Sequence, residues 1–280
     1  KKEKIDYISN KCIKQEYQRL FLKVSPVFPA LKNWKSLAAL MSVDESKYQN
    51  NPSKEDIESI LKLFDLKKLE EAEQEIKKKL VKFPKSSILF NILGAVLSEQ
   101  DKLEKAIKSY NNSIKLNPNY AQAYNNLGIC LYKLNKIDES IYNYKKAIDI
   151  ESEDPKFHNN LGAALKKLNE HEQSIIYYKK AIKLNPNYAD AHNNLGIAFR
   201  EIGQHEQSIN HYQKAIKIEP EHADAHNNLG TLFKELRDFK KSIYHYEKAI
   251  SIKPDLTETY SNLGNAYSGT GEYNKGIDCH

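Results

Sequence analysis

A leucine followed by a glycine recurs along this chain at a fixed interval of 34 residues. The dipeptide begins at Leu93, Leu127, Leu161, Leu195, Leu229 and Leu263. Prolines keep the same interval at Pro84, Pro118, Pro186, Pro220 and Pro254, with Ser152 as the one exception. A period of this length indicates an array of similar structural units that stack on one another, and it therefore constrains the whole fold.

Each 34-residue repeat is predicted to contain two helices joined by a turn. In the repeat from Ala189 to His222, the apolar residues of the first half have helical spacing: Ala191, Leu195, Ala198, Phe199 and Ile202. Gly203 interrupts this pattern. The pattern resumes and then ends at Ile209, Tyr212, Ile216 and Pro220. The repeat is thus a helix, a turn, a second helix and a proline stop.

The glycine of the repeated dipeptide needs an explanation, because it falls inside the first helix. A glycine in a helix interior costs about 1 kcal/mol relative to alanine. A glycine that recurs in six repeats is therefore predicted to allow close approach of a neighbouring helix. Tyrosines recur at the same interval in the second helix, and Tyr212 is expected to fill the space above Gly196.

A 34-residue helix pair with Leu-Gly, small, aromatic and proline positions resembles the tetratricopeptide repeat (TPR), and the resemblance covers Ser87–His280. It implies an all-α fold, an α-solenoid in which antiparallel helix pairs form a right-handed superhelix. Two positions depart from the family pattern. The aromatic residue expected three positions before the leucine is His158, His192 and His226 in the middle repeats, and the alanine expected early in the second helix is Ser140, Ser174, Ser208 and Ser242. Both replacements roughly conserve volume.

The repeats divide the chain into three predicted parts. Residues 1–52 are predicted to form an N-terminal helical cap and linker, and residues 53–86 a degenerate TPR unit that has lost Leu-Gly. Residues 87–280 form the TPR array, with units starting at 87, 121, 155, 189, 223 and 257, the last of them truncated. Within the cap, a helix is predicted over Ile5–Phe21. Its role as a solenoid cap competes with that of a basic helix for a membrane surface or a partner.

Charge and cysteine content limit the function classes. The 280-residue chain has 43 basic and 37 acidic residues, and the basic excess is concentrated in residues 1–23. Mixed charges of this kind are typical of solvated helix surfaces. Cys12, Cys130 and Cys279 lie far apart without a C-x-x-C pair, so neither a disulfide framework nor a zinc site is predicted. No apolar run approaches the roughly 18 residues of a membrane span. We expect a cytoplasmic chain.

Sequence patterns of common enzymes do not occur: there is no P-loop, G-x-G-x-x-G, H-E-x-x-H or G-x-S-x-G. The stretch SGTGEYNKG lacks phosphate-loop spacing and is interpreted as a helix C-cap. His158, His192 and His226 lie one repeat apart, as do the pairs His171/His205 and His211/His245, which is too far to share a metal ion at ~2 Å. The histidines are assigned packing or surface roles, and Cys130 a buried one. The chain is predicted to be non-catalytic, with no cofactor and no metal.

The first helices of TPR units line a concave face, and an asparagine precedes the leucine of the Leu-Gly dipeptide in the last five of the six repeats. The series is Asn126, Asn160, Asn194, Asn228 and Asn262. An asparagine amide offers a donor and an acceptor together, which matches the C=O and N–H of an extended peptide backbone. These residues are therefore predicted to bind peptide. The alternative, that they only form hydrogen bonds between adjacent helices, stays open.

One turn further on, the same helices carry a strip of basic residues: Lys133, Lys166, Lys167, Arg200 and Lys234. Glu201 and Glu235 dilute this strip, so a solvated surface and the steering of an acidic or phosphorylated segment are alternatives. TPR domains that bind chaperone tails carry Lys just ahead of the Asn position and Arg at it. Here both positions are asparagine from Asn159 to Asn228, so no chaperone-tail carboxylate clamp is predicted.

The leading functional hypothesis is a non-catalytic scaffold for protein–protein interaction that binds an extended peptide segment in the concave TPR groove. The alternative is the substrate-docking arm of a larger glycosyltransferase or sulfotransferase, because NPNYADAHNNLG resembles the TPR region of O-linked N-acetylglucosamine transferases. No transferase residues occur in the chain, which is expected to be a fragment of a longer protein. Nucleic-acid binding is least favoured, because the basic strip has no interleaved aromatic residues.

Overall fold

The structure, a computed structural model, describes residues 52–272 and 274. Within this part of the chain there are thirteen α-helices and no strand. In chain order the helices are α1 (Lys54–Asp65), α2 (Leu69–Lys82), α3 (Ser87–Glu99), α4 (Leu103–Leu116), α5 (Ala121–Lys133), α6 (Ile137–Ile150), α7 (Pro155–Lys167), α8 (His171–Leu184), α9 (Ala189–Glu201), α10 (His205–Ile218), α11 (Ala223–Glu235), α12 (Phe239–Ile252) and α13 (Thr257–Thr270). The helix predicted over Ile5–Phe21 lies outside the described residues.

The chain divides into two compact units, one that ends at Phe157 and one that begins at His158. In the N-terminal unit each helix from α1 to α5 packs on the next helix of the chain, and α3 also contacts α5. In the C-terminal unit the same holds from α8 to α12, and α9 contacts α11, which contacts α13. Contacts that join helices close in sequence are the arrangement of a solenoid. The predicted all-α solenoid is confirmed.

A residue in the left-handed conformation ends each first helix. Positive φ angles recur every 34 residues at Lys67, Asp101, Asn135, Asn169, Gly203, Arg237 and Gly271. After each of them the next N–H donates to a carbonyl five residues back, as from Gln204 to Phe199 at 2.8 Å. This bond satisfies a carbonyl that the helix end would otherwise leave without a partner. Gly271 is the C-cap of α13, as the sequence predicted.

The Leu-Gly dipeptide has the packing role that its position in the helix predicted. A Cβ placed on Gly196 in α9 would lie 2.7 Å from Cδ1 and Cε1 of Tyr212 in α10. Gly128 and Tyr144 show the same relation, also at 2.7 Å. The Tyr212 side chain is completely buried, and this burial raises its pKa to about 12. Glycine therefore removes the one carbon that would stop the tyrosine ring from lying on the first helix.

The serine early in the second helix ties the two helices of a pair together in the repeat of α9 and α10. The buried Ser208 hydroxyl donates to the Gly196 carbonyl at 2.7 Å. An alanine, which the family pattern has at this position, could not make this bond.

None of the helices in the described part of the chain has both the length and the apolar character that crossing a membrane requires.

Candidate functional site

Two adjacent asparagines precede Leu-Gly on the first helices α5, α7, α9 and α11. The first member is buried in three of the four pairs, at Asn125, Asn159 and Asn193, with exposed fractions of 4, 7 and 7%, and is half-buried at Asn227. The second member is half-buried at Asn126, Asn160, Asn194 and Asn228. Neighbouring helix positions differ in direction by about 100°, so the two amides of a pair meet different surroundings.

Hydrogen bonds join the second asparagine of one repeat to the first asparagine of the preceding repeat. In the C-terminal unit, Asn194 Nδ2 donates to Asn159 Oδ1 at 3.0 Å and Asn228 Nδ2 donates to Asn193 Oδ1 at 3.0 Å. In the N-terminal unit, Asn126 Nδ2 donates to Asn91 Oδ1 at 3.1 Å. These bonds satisfy buried amide oxygens and fix the register of successive first helices. We call this series the asparagine ladder.

The last step of the asparagine ladder is built differently. The Asn227 Oδ1 atom accepts a hydrogen bond at 3.0 Å from the Thr259 hydroxyl, rather than from Asn262. Asn262 Oδ1 instead accepts from the Lys234 ammonium at 2.6 Å. A threonine hydroxyl can therefore replace the asparagine amide as the inter-repeat donor, while Asn262 lies against a member of the predicted basic strip.

Members of the basic strip differ in their surroundings. Lys133 and Lys167 are exposed, whereas Lys166, Arg200 and Lys234 are half-buried. Lys166 Nζ lies 3.5 Å from Glu201, whose carboxylate also lies 3.2 Å from His171 Nδ1. In the C-terminal unit, intramolecular contacts thus hold two members of the strip, Lys166 and Lys234.

Two histidine pairs were missed by the sequence analysis. His192 of α9 and His211 of α10 bring their Nδ1 atoms within 3.0 Å of each other, and His226 of α11 and His245 of α12 do the same at 3.0 Å. The repeat interval relates histidines one repeat apart, but these pairs join the two helices of the same repeat. Their separation of 19 residues is the only signal in the sequence, and it has a meaning only once the helix pair is known.

The other candidate reactive groups lie in packed surroundings. The Cys130 thiol is buried, with Sγ 3.5 Å from the Ser98 hydroxyl, and burial raises the pKa of this thiol. A raised pKa lowers the thiolate fraction and hence the reactivity. Across residues 52–272, no three or more His, Cys, Asp or Glu side chains form a group that could hold a metal ion.

Comparison with known families agrees with this architecture. Models described as TPR repeat match residues 94–135, 130–169 and 198–236, and models described as tetratricopeptide repeat match residues 155–188, 177–210 and 223–256. Together these matches extend from residue 94 to residue 256, more than half of the chain. The chain belongs to the tetratricopeptide repeat family. TPR arrays generally act as non-catalytic scaffolds for protein–protein interaction. No curated protein sequence matches this TPR chain.

Solved TPR-like structures resemble the chain in fold. YrrB, described as a TPR protein with an unusual peptide-binding site, is 24% identical with a TM-score of 0.50, over 66% of this chain and 95% of YrrB. PilF of Pseudomonas aeruginosa is 14% identical with a TM-score of 0.62, over 69% of this chain and 88% of PilF. A chain of the APC/C hetero-tetramer Cut9–Hcn1 is 15% identical with a TM-score of 0.68, over 90% of this chain and 46% of that one.

Proposed function

We propose that this TPR protein is a non-catalytic scaffold that binds an extended segment of another protein along its asparagine ladder. The observation that carries the proposal is the ladder itself, which repeats the same amide at the same position of successive first helices. In the C-terminal unit it presents Asn194 and Asn228, both half-buried, with one N–H of each already engaged at 3.0 Å. The array is suited to a ligand that offers a repeating polar backbone.

The chemistry of the amide supports a peptide backbone as the ligand. An asparagine side chain has two N–H donors and a carbonyl that accepts two hydrogen bonds. The inter-repeat bond of Asn194 or Asn228 uses a single donor and leaves the carbonyl of that side chain with capacity for a peptide N–H. Because the inter-repeat bond also orients the amide, binding does not need to order a freely rotating side chain, which lowers the entropic cost.

A cation beside the ladder favours a segment that carries acidic groups. Lys234 Nζ donates to Asn262 Oδ1 at 2.6 Å and is thereby held next to the amide series. Arg200 occupies the equivalent position of the preceding repeat and is half-buried. We propose that these two cations, with Lys166 of the repeat before, attract carboxylate or phosphate groups of the ligand. The exposed Lys133 and Lys167 contribute to long-range steering.

The experiment must separate ligand contact from the structural role of the ladder. Asn228→Ala alone removes the donor to the buried Asn193 oxygen and destabilises the array. The chain itself offers a repair, because Thr259 donates to Asn227 one repeat later. Thr259 is equivalent to Ala225, which is 34 residues earlier and completely buried. The double variant Ala225→Thr/Asn228→Ala therefore restores the inter-repeat bond without the ladder amide, and Ala191→Thr/Asn194→Ala does the same one repeat earlier.

A random library of short unstructured peptides, selected against the full chain, supplies the ligand, and fluorescence anisotropy measures its affinity. The variant with all four substitutions should keep the circular dichroism and melting temperature of the wild type to within a few degrees. At about 0.5–1.5 kcal/mol for each lost hydrogen bond, it should bind the selected peptides roughly 5- to 150-fold more weakly. A folded variant that binds with wild-type affinity would show that the ladder is purely structural.

A further inference from the structure

The histidine pairs occupy a position where the two helices of a repeat face each other. His192 and His226 are 4 and 6% exposed, and their partners His211 and His245 are half-buried. A phenylalanine ring stacks on the second histidine of each pair, Phe199 at 5.5 Å from His211 and Phe233 at 5.7 Å from His245. The pairs are therefore part of the packing between α9 and α10 and between α11 and α12.

Hydrogen bonding assigns the protons of the first pair. His192 Nε2 lies 3.2 Å from the Pro186 carbonyl, which can only accept, so Nε2 must carry a proton. Neutral His192 then has a bare Nδ1, and His211 Nδ1 must donate to it across the 3.0 Å contact. Two charged rings would place two N–H donors against each other. The packed arrangement thus accommodates at most one charged ring per pair.

The surroundings of both pairs disfavour charge. Burial lowers the pKa of His192 and His226, and it lowers the pKa of His211 and His245 to about 4 in each case. For the first pair the charged neighbours are Lys214 of α10 and Lys179 of α8, and for the second they are Lys248 of α12 and His222 before α11. Each of these neighbours carries a positive charge or gains one on protonation, so each opposes protonation of the ring that it faces.

The pKa of His222, which lies near the second pair, is shifted in the opposite direction. Its Nε2 lies 3.3 Å from the Asp190 carboxylate, which raises the pKa of His222. Its Nδ1 accepts a hydrogen bond from the Ala225 N–H at 3.2 Å. Acidification therefore strengthens the ion pair with Asp190 but removes the acceptor that caps α11. A charged His222 also adds to the field that opposes a charge on His226.

We propose that the two histidine pairs make the repeats of α9–α12 acid-sensitive, so that mildly acidic solution loosens the packing of each first helix on its second helix. The proposal concerns packing and holds whether or not the asparagine ladder binds peptide. All nine histidines of the chain lie at residues 158–280, so the N-terminal unit contains none. That unit is an internal reference in the same molecule.

The direction of the pH dependence follows from the number of protons that the folded and unfolded states bind. A ring whose pKa is 6.5 when unfolded and about 4 when folded binds more protons in the unfolded state between these values. Its stabilisation is thus fully present above pH 6.5 and is lost as the pH falls toward 4. For one such ring, local opening would become about 20-fold more favourable between pH 7 and pH 5. Because the ring is half-exposed, screening should reduce this to about fivefold.

Amide hydrogen exchange of the full chain, followed by mass spectrometry at pH 7 and pH 5 with exchange times scaled for the intrinsic rate, tests the proposal. Protection in α9–α12 should fall by about fivefold or more relative to α3–α6. The variant His211→Tyr/His245→Tyr recreates the stacked His158–Tyr177 pair of the preceding repeat. In this variant the excess decline of α9–α12 over α3–α6 should be smaller than in the wild type, because only His192 and His226 of the two pairs remain. His205→Gln, which removes a histidine of α10 that belongs to neither pair, should leave the decline unchanged.

The outcome that overturns the proposal is an equal decline in α3–α6 and α9–α12 of the wild type, or a selective decline that is as large in the tyrosine variant as in the wild type. If circular dichroism at pH 7 shows that the tyrosine variant is not folded, His211→Asn/His245→Asn replaces it in the same comparison. Asparagine occurs naturally at the equivalent position of α6, as Asn143. A selective decline that is undiminished by the asparagine replacement overturns the proposal equally.

Discussion

Substitution of Gly196 by alanine should destabilise the array, although alanine is the better helix former. The new Cβ would lie 2.7 Å from two ring carbons of Tyr212. Carbon atoms in contact normally lie about 3.5–4.0 Å apart, so the ring must retreat by about 1 Å. Tyr212 is 0% exposed and its ring lies within the core of the helix pair, which leaves it little room to retreat.

The expected change in the free energy of unfolding combines the cost of overpacking with the gain in helix propensity. Overpacking of a buried site costs about 1–3 kcal/mol, and a ring without free space belongs at the upper end of this range. Helix propensity returns about 1 kcal/mol when alanine replaces glycine. We therefore expect a net loss of about 2 kcal/mol in the free energy of unfolding.

Urea denaturation followed by circular dichroism measures this loss from the shift in midpoint and the slope. A double-mutant cycle with Tyr212→Leu identifies its cause, because leucine vacates the edge of the ring that the new Cβ would strike. In the Tyr212→Leu background, Gly196→Ala should be neutral or stabilising by up to about 1 kcal/mol. An equal loss in both backgrounds would refute the steric explanation, and so would a loss below about 0.5 kcal/mol in the wild type.

Three further substitutions test the turn and the repeat junction. Gly203 has a φ of 77° and open space within 4 Å of where a Cβ would lie, and Asn135 and Asn169 have φ of 60 and 61° at the equivalent position. Gly203→Asn should therefore change stability by less than about 0.5 kcal/mol, whereas Gly203→Val should cost about 1–2 kcal/mol, as thermal melting can show. Asp190→Asn should lower the pKa of His222, because the Asp190 carboxylate is the main group that raises it. NMR titration of the His222 ring reads this shift directly, and an unchanged pKa would contradict the assignment of its partner.

Much of the fold could be predicted from sequence because the repeat is encoded locally. The helix pair follows from apolar spacing, and the glycine in the first helix predicts the close approach that Gly196 and Tyr212 show. The left-handed residue in the turn between the two helices was harder to predict from sequence. Glycine marks it at Gly203 and Gly271, but Lys67 and Arg237 adopt the same left-handed conformation without such a marker. There the stacking of helices imposes a backbone angle that the residue alone disfavours.

The candidate site was predicted in part. The asparagine series is evident in the sequence, but its bonding partner is not. In the structure the partner is the first asparagine one repeat earlier, as in Asn194 to Asn159. Peptide binding by this series stays a prediction. The histidine pairs were not predicted, because His192 and His211 lie on different helices and share no local periodicity.

By itself, the sequence determined the 34-residue period, the helix pairs and the glycine beside the tyrosine, since each follows from apolar spacing or from a glycine inside a helix. Tertiary structure alone decided which polar side chains meet. Asn228 donates to Asn193, and His226 contacts His245, because packed helices bring positions that are distant in sequence within 3.0 Å. Hydrogen bonds form only at such distances. A residue pattern specifies the surface of a helix, whereas the packing of helices specifies the neighbour of each side chain.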